Sequence, residues 1–219
     1  MSMSDETMVH LIQITDFHVT APGTSYMNNF QSLDSLQKVV QAVQKNEPAS
    51  EFIICTGDLT NDGTESAYNL VFDAVSQLQS PDRKVVCLPG NHDDAASLRK
   101  VMEVRGVTTS RIVQLNNFWV LILLDTEVPG SDAGKLRFAE LDFLRNALDE
   151  YKGTQFNCLI AMHHHPTPIH SQWMDELALE NKEEFFDVLQ PFGQQVKGII
   201  FGHVHQVLYI DQSKVKLSV

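Results

Sequence analysis

Apolar residues along this chain come in short β-branched runs, each closed by a few polar residues. Between the runs the apolar positions switch to helical spacing. Residues 9–14, 52–56 and 84–88 are the first three runs, and each reads as a strand, the third short and β-branched enough to be a buried one. Between them, residues 32–45 place Leu33, Leu36, Val39, Val40 and Val43 on one face, which predicts a helix with Ser32 as its cap. Further helices are predicted over 65–78 and 94–104. In the second half, residues 111–115 and 118–124 read as strands joined at an Asn116-Asn117 turn, so some antiparallel pairing is expected. A helix over 135–148 sets Leu136, Phe138, Leu141, Leu144 and Leu148 in one stripe, and a strand (158–162), a helix (182–189) and a strand (196–201) follow. Alternating strands and helices with one hairpin predict an α/β fold with mixed sheets flanked by helices.

The chemistry lies where the strands end. The first strand runs into Asp16-Phe17-His18, the second into Gly57-Asp58 and the third into Gly90-Asn91-His92-Asp93. The later ones run into His163-His164-His165-Pro166 and Gly202-His203-Val204-His205. In α/β sheets ligands bind at that edge, because loops there carry polar groups while the strands behind hold them rigid. Residues two apart in extended chain face the same side, so Asp16 and His18 are expected to grip one ion from an extended segment. Together the motifs supply Asp16, His18, Asp58, Asn91, His163, His203 and His205, a nitrogen-and-oxygen set without thiolate. Seven ligands exceed one four-coordinate ion but suit two ions that share a carboxylate, and Asp58, alone on its loop, is the natural bridge. One of the three adjacent histidines is expected to bind metal, while His10 and His170 are expected to face solvent or fill ordinary polar positions. A single Asp-x-His or Gly-Asp is common by chance, and Gly57 or Gly202 alone reads as a turn glycine. Five such motifs, each at a strand end, do not coincide by chance.

Composition narrows the partners. With 16 basic and 28 acidic residues in 219 the formal charge is -12, which argues against long DNA or RNA. It does not argue against a small anion, because two divalent ions outweigh the charges of two aspartates. Cys55, Cys87 and Cys158 each lie in a strand-like run and are expected to be buried reduced thiols, which fits a cytoplasmic protein. Residues 1–8 read as a flexible tail without signal-peptide character, and no run is apolar enough for a membrane span. Residues 9–219 are expected to form one domain, monomeric or homodimeric.

The five motifs, in order, resemble the signature of the calcineurin-like metallophosphoesterases. The chain is most similar to the bacterial class III cyclic-AMP phosphodiesterases, through Ile14-Thr15-Asp16-Phe17-His18, His163-His164-His165-Pro166 before Gly202-His203-Val204-His205, and Trp173 and Asp175. The resemblance covers residues 9–210 and implies a four-layer sandwich, two mixed β-sheets between helices. It further implies two metal ions, iron or manganese first with zinc compatible. The first would be held by Asp16, His18, Asp58 and His205, and the second by Asp58, Asn91, His163 and His203. The substrate phosphate is expected at His18, Asp58, Asn91, His92 and His205. His92 is expected to protonate the leaving group, and Asp93 to orient His92 or its loop. The implied reaction is hydrolysis of a 3',5'-cyclic nucleotide, with cyclic AMP preferred, to the 5'-monophosphate. Another small phosphate ester, or a non-catalytic scaffold of this fold, would be the alternatives. The family usually continues with further strands, whereas this sequence stops at Val219, so residues that complete a sheet, cover substrate or join subunits are expected beyond it.

Overall fold

The computed structural model describes residues 8–21 and 31–210. The expected tail over 1–8 lies outside the described residues except for Met8, as do residues 211–219. Strands β1 (Leu11–Ile14), β2 (Phe52–Thr56) and β3 (Lys84–Leu88) form one sheet in chain order, parallel throughout. Strands β4 (Ile112–Gln114), β5 (Trp119–Leu123), β6 (Asn157–Met162) and β7 (Val196–Phe201) form the second. There β4 pairs antiparallel to β5 through the Asn116-Asn117 turn, and β5, β6 and β7 are parallel. Among the described residues, mixed pairing is therefore confined to the four-stranded sheet. The strands of the other are linked by helical crossovers, which enforce parallel pairing.

The helices are α1 (Ser32–Asn46), α2 (Glu65–Val75), α3 (Ala95–Arg105), α4 (Phe138–Tyr151), α5 (Gln172–Asp175) and α6 (Lys182–Leu189). Side chains alternate across β2, so Ile53 and Cys55 pack with α1, α2 and α3 while Phe52 and Ile54 meet the second sheet. A second helix-facing core joins β5, β6 and β7 to α4 and α6. The layers thus run helix, sheet, sheet, helix. Each fully buried Ile or Leu in them contributes about 1.5–3 kcal/mol. The three cysteines are buried free thiols.

Local expectations fail where helix ends were at stake. Ser32 is the first residue of α1 and not its cap, and Gln31 before it caps without a side-chain bond. Thr64 and Asp94 are true side-chain caps, accepting from Ala67 and Ser97. Phe138 is 79% exposed although it fits the stripe of α4. Side chains on a helix lean toward its N-terminus, so the first residue reaches past the surface its helix covers. Val39, on the flank of the α1 stripe, is 42% exposed.

This architecture sets the site. All parallel strands present their C-terminal ends to one region, and Gln13 joins the two sheets there, its Nε2 donating to Thr56 Oγ1 and to the Phe201 carbonyl, each at 2.8 Å.

Candidate metal centre

Pairing continues past the strand ends and carries the site residues with it. The amides of Asp16 and His18 donate to the Gly57 and Asp58 carbonyls at 3.1 and 2.9 Å, and Gly202 N donates to the His163 carbonyl at 3.0 Å. The chain here is not extended, however. Asp16, His18, Asp58, His203 and His205 all have positive φ, between 48° and 69°. The expectation that Asp16 and His18 face one way because they are two apart in a strand is therefore corrected. β1 ends at Ile14, and it is the left-handed backbone that turns both side chains inward. Left-handed backbone at non-glycine residues costs about 1–3 kcal/mol each and persists where surrounding structure demands it. Gly57 (φ 93°) and Gly90 are close-approach glycines, since a Cβ on either would meet the His163 ring and backbone of the neighbouring loop.

The ligand-type atoms form overlapping clusters. Asp16, His18 and His205 offer atoms within 4.8 Å of one another, as do Asp16, Asp58 and His163, and also His163, His164 and His203. His18 Nε2 lies 3.2 Å from His205 Nε2, and His205 Nε2 lies 3.4 Å from Asp16 Oδ1. His163 Nε2 lies 3.1 Å from Asn91 Oδ1. Asp58 stands between the groups, with Oδ2 3.5 Å from His18 Nε2 and 3.4 Å from His163 Nε2. Its Oδ1 accepts from His92 N at 2.9 Å. All seven expected residues are thus brought together. His92 adjoins them, its ring edge-on to His18 with centroids 4.8 Å apart.

Electrostatics mark the place of a cation. Burial opposes charge on His163, but hydrogen bonding and attraction from Asp58 win and push it up to about 9. Asp58 is held well below the usual carboxylate range, its burial outweighed by His163, the His92 amide and His18. His203 is pushed down to about 4, by burial first and then by His163, so its ring is neutral. Its Nε2 is buried without a hydrogen-bond partner, as are His18 Nδ1 and both ring nitrogens of His165. For His203, which stands in the histidine cluster, a ligand that takes the lone pair would relieve the cost of the missing partner, whereas His18 turns its Nε2 to the cluster. The Thr56 carbonyl accepts from His163 Nδ1 at 2.8 Å, which leaves Nε2 toward the cluster. His203 N donates to both Asp16 oxygens at 3.1 Å, aiming that carboxylate. The donor set therefore fits hard or borderline divalent cations.

Asp93 serves its loop and not the His92 ring. Its oxygens accept from the amides of Leu59 (3.0 Å), Thr60 (3.0 Å) and Gly90 (2.9 Å), and from the hydroxyls of Thr60 (3.2 Å) and Tyr68 (3.0 Å). It clamps the Asp58 loop to the Asn91 loop from behind. Sequence reasoning missed Tyr68 and Thr60, which look like ordinary helix and loop residues, and it left His164 without a role. His10 and His170 are exposed, as expected.

Beside the cluster, a cavity of about 530 Å³ is lined by Gln13, Asp16, Phe201 and His205 among others.

A family model described as calcineurin-like phosphoesterase matches residues 9–207. The chain is 34% identical over 201 residues to the 3',5'-cyclic adenosine monophosphate phosphodiesterase CpdA of Pseudomonas aeruginosa, covering 92% of this chain and 71% of that protein. It is 32% identical over 212 residues to the protein of the same name from Vibrio vulnificus, covering 97% and 75%. A dimetal phosphatase from Danio rerio shares the fold, with a TM-score of 0.63 at 16% identity over 90% of this chain and 82% of that one.

Proposed function

We propose, for a chain that belongs to the calcineurin-like phosphoesterase family, hydrolysis of a small 3',5'-cyclic nucleotide, with cyclic AMP preferred, to the 5'-monophosphate. The observation that carries this reading is the single Asp58 oxygen set 3.5 Å from His18 and 3.4 Å from His163, the position of a bridge between two ions. The relatives named as cyclic-AMP phosphodiesterases support the substrate class.

Asp16, His18, Asp58 and His205 would hold one ion, and Asp58, Asn91, His163 and His203 the other, with iron or manganese preferred and zinc compatible. Bound there, the ions would supply Lewis acidity toward the phosphoryl oxygens and an acidified water as nucleophile. The remaining work falls to side chains. His18, Asn91 and His205 border the phosphate. The His92 amide is committed to Asp58 Oδ1, so its loop is fixed while its ring lies edge-on to His18. From there a protonated His92 donates to the departing 3'-oxygen, a poor leaving group that needs the proton. Asp93 keeps the two loops in register. A cytoplasmic location belongs to the same proposal and is supported by the three buried free thiols.

The test is a substrate panel on metal-reconstituted protein, with cyclic AMP, cyclic GMP, a phosphomonoester and bis(p-nitrophenyl) phosphate. The reading expects the highest kcat/KM on a cyclic nucleotide. A phosphomonoester turned over faster than every diester would overturn it.

A further inference from the structure

We infer that His164 is a positioning residue, which fastens the loop of residues 126–134 against the metal centre so that this loop forms the wall for the nucleoside part of the substrate. Spacing alone allows another role, because ligand atoms of His163, His164 and His203 lie within 4.8 Å of one another and would make a trihistidine site. Hydrogen bonding decides against it. His164 Nδ1 is 2.7 Å from Thr126 Oγ1, and its Nε2 is 3.3 Å from the Asp132 carbonyl oxygen. A carbonyl only accepts, so Nε2 carries the ring proton and Nδ1 accepts from the Thr126 hydroxyl. No nitrogen is left for an ion, in contrast to His203, whose buried Nε2 has no partner.

The same contacts define the loop. It leaves the C-terminal end of β5 beside the β6 end that carries His163, and Lys135 N closes it on the Thr126 carbonyl at 3.0 Å. It passes so closely over His164 that a Cβ at Gly134 would run into the ring. Its far end is tied to residues 178–180, Gly134 N donating to the Ala178 carbonyl at 3.3 Å and Glu180 N to the Gly134 carbonyl at 2.8 Å. Glu127 in this loop is buried, and burial together with the charges of Asp125, Asp94 and Asp93 pushes its carboxyl up. The loop therefore lies against the histidine run, and through the His164 ring it borders His163 and His203 on that side of the metal cluster. The assignment of the nucleoside to this wall rests on the phosphodiesterase reading, whereas the fastening role rests on the contacts alone.

Thr126→Val and His164→Asn test it in the metal-loaded full chain. Thr126→Val is near-isosteric and touches no proposed ligand, so it keeps the test intact if His164→Asn does not fold. Both variants should retain the wild-type number of ions per chain, and amide hydrogen exchange across residues 126–134 should quicken about tenfold or more. KM for cyclic AMP should rise about tenfold with kcat nearly unchanged, KM for bis(p-nitrophenyl) phosphate should change little, and Thr126→Ser should restore both readouts. Loss of an ion in folded His164→Asn would make His164 a ligand and overturn the inference. So would unchanged exchange, or an equal fall in kcat on both esters. If the wild type ignores cyclic nucleotides while exchange and metal content behave as expected, the fastening stands and only the nucleoside assignment falls.

Discussion

Asp93→Asn should be among the most destabilising near-isosteric changes in this chain, although Asp93 touches no proposed ligand ring. Its Oδ2 accepts from Leu59 N and Gly90 N, and its Oδ1 from Thr60 N and two hydroxyls. An asparagine would keep its oxygen on the Oδ2 side, where two backbone amides have no alternative. Its NH2 would then face Thr60 N, donor against donor, although the Thr60 and Tyr68 hydroxyls can turn to accept. One buried donor left unsatisfied costs about 1–3 kcal/mol, and weakening the remaining charge-assisted bonds adds about 1 kcal/mol for each of two. The expected loss is about 3–5 kcal/mol, a large share of the roughly 5–15 kcal/mol typical of a folded domain. Denaturant unfolding of metal-free protein, at unchanged m-value, measures it without linkage to ion binding. In the loaded enzyme both loops should shift and activity should fall at least about tenfold. A loss below about 1 kcal/mol would refute the reasoning, since it would mean that the Asp58 and Asn91 loops are held by something other than this carboxylate.

Other outcomes follow from the same geometry. His92→Ala keeps the amide bond to Asp58, so it should retain both ions yet lose about 10²- to 10⁴-fold in rate on cyclic AMP, with a much smaller loss on bis(p-nitrophenyl) phosphate, whose leaving group needs no proton. Comparison of kcat on the two esters checks this, and equal losses would count against an acid role. Gly90→Ala drives a Cβ into the Asp58 backbone and the His163 ring, so overpacking of about 1–3 kcal/mol and weaker metal retention are expected from unfolding and metal-competition assays.

Much of this was legible in the sequence because both signals are local. Buried parallel strands read as nearly unbroken apolar runs, so β2, β3 and β6 stand out, and residues that must meet at one sheet edge must each follow a strand. What was not legible depends on distant partners or on backbone conformation. Nothing near Asp16 announces that its φ is 59°, since the left-handed turn is imposed by pairing with the Gly57 loop. Tyr68 serves Asp93 from a helix 25 residues away, and its hydroxyl looks in sequence like any half-polar face. The His163-His164-His165 run hid two different tasks, because only the partners of each ring nitrogen distinguish an imidazole open to an ion from one tied to Thr126 and Asp132. Phe138 and Val39 fit helical stripes, but a stripe does not say where the covering surface ends.

The most direct test of the account is elemental analysis of wild type and Asp58→Ala, each metal-reconstituted and passed through a desalting column, with phosphodiesterase activity measured on the same samples. One oxygen of Asp58 faces His18 on one side and His163 on the other. The account therefore predicts about two ions per active wild-type chain, and in Asp58→Ala the loss of activity together with most of both ions. A fully active wild type with one ion per chain, or an Asp58→Ala variant that keeps two, would contradict the shared carboxylate on which the proposed mechanism stands.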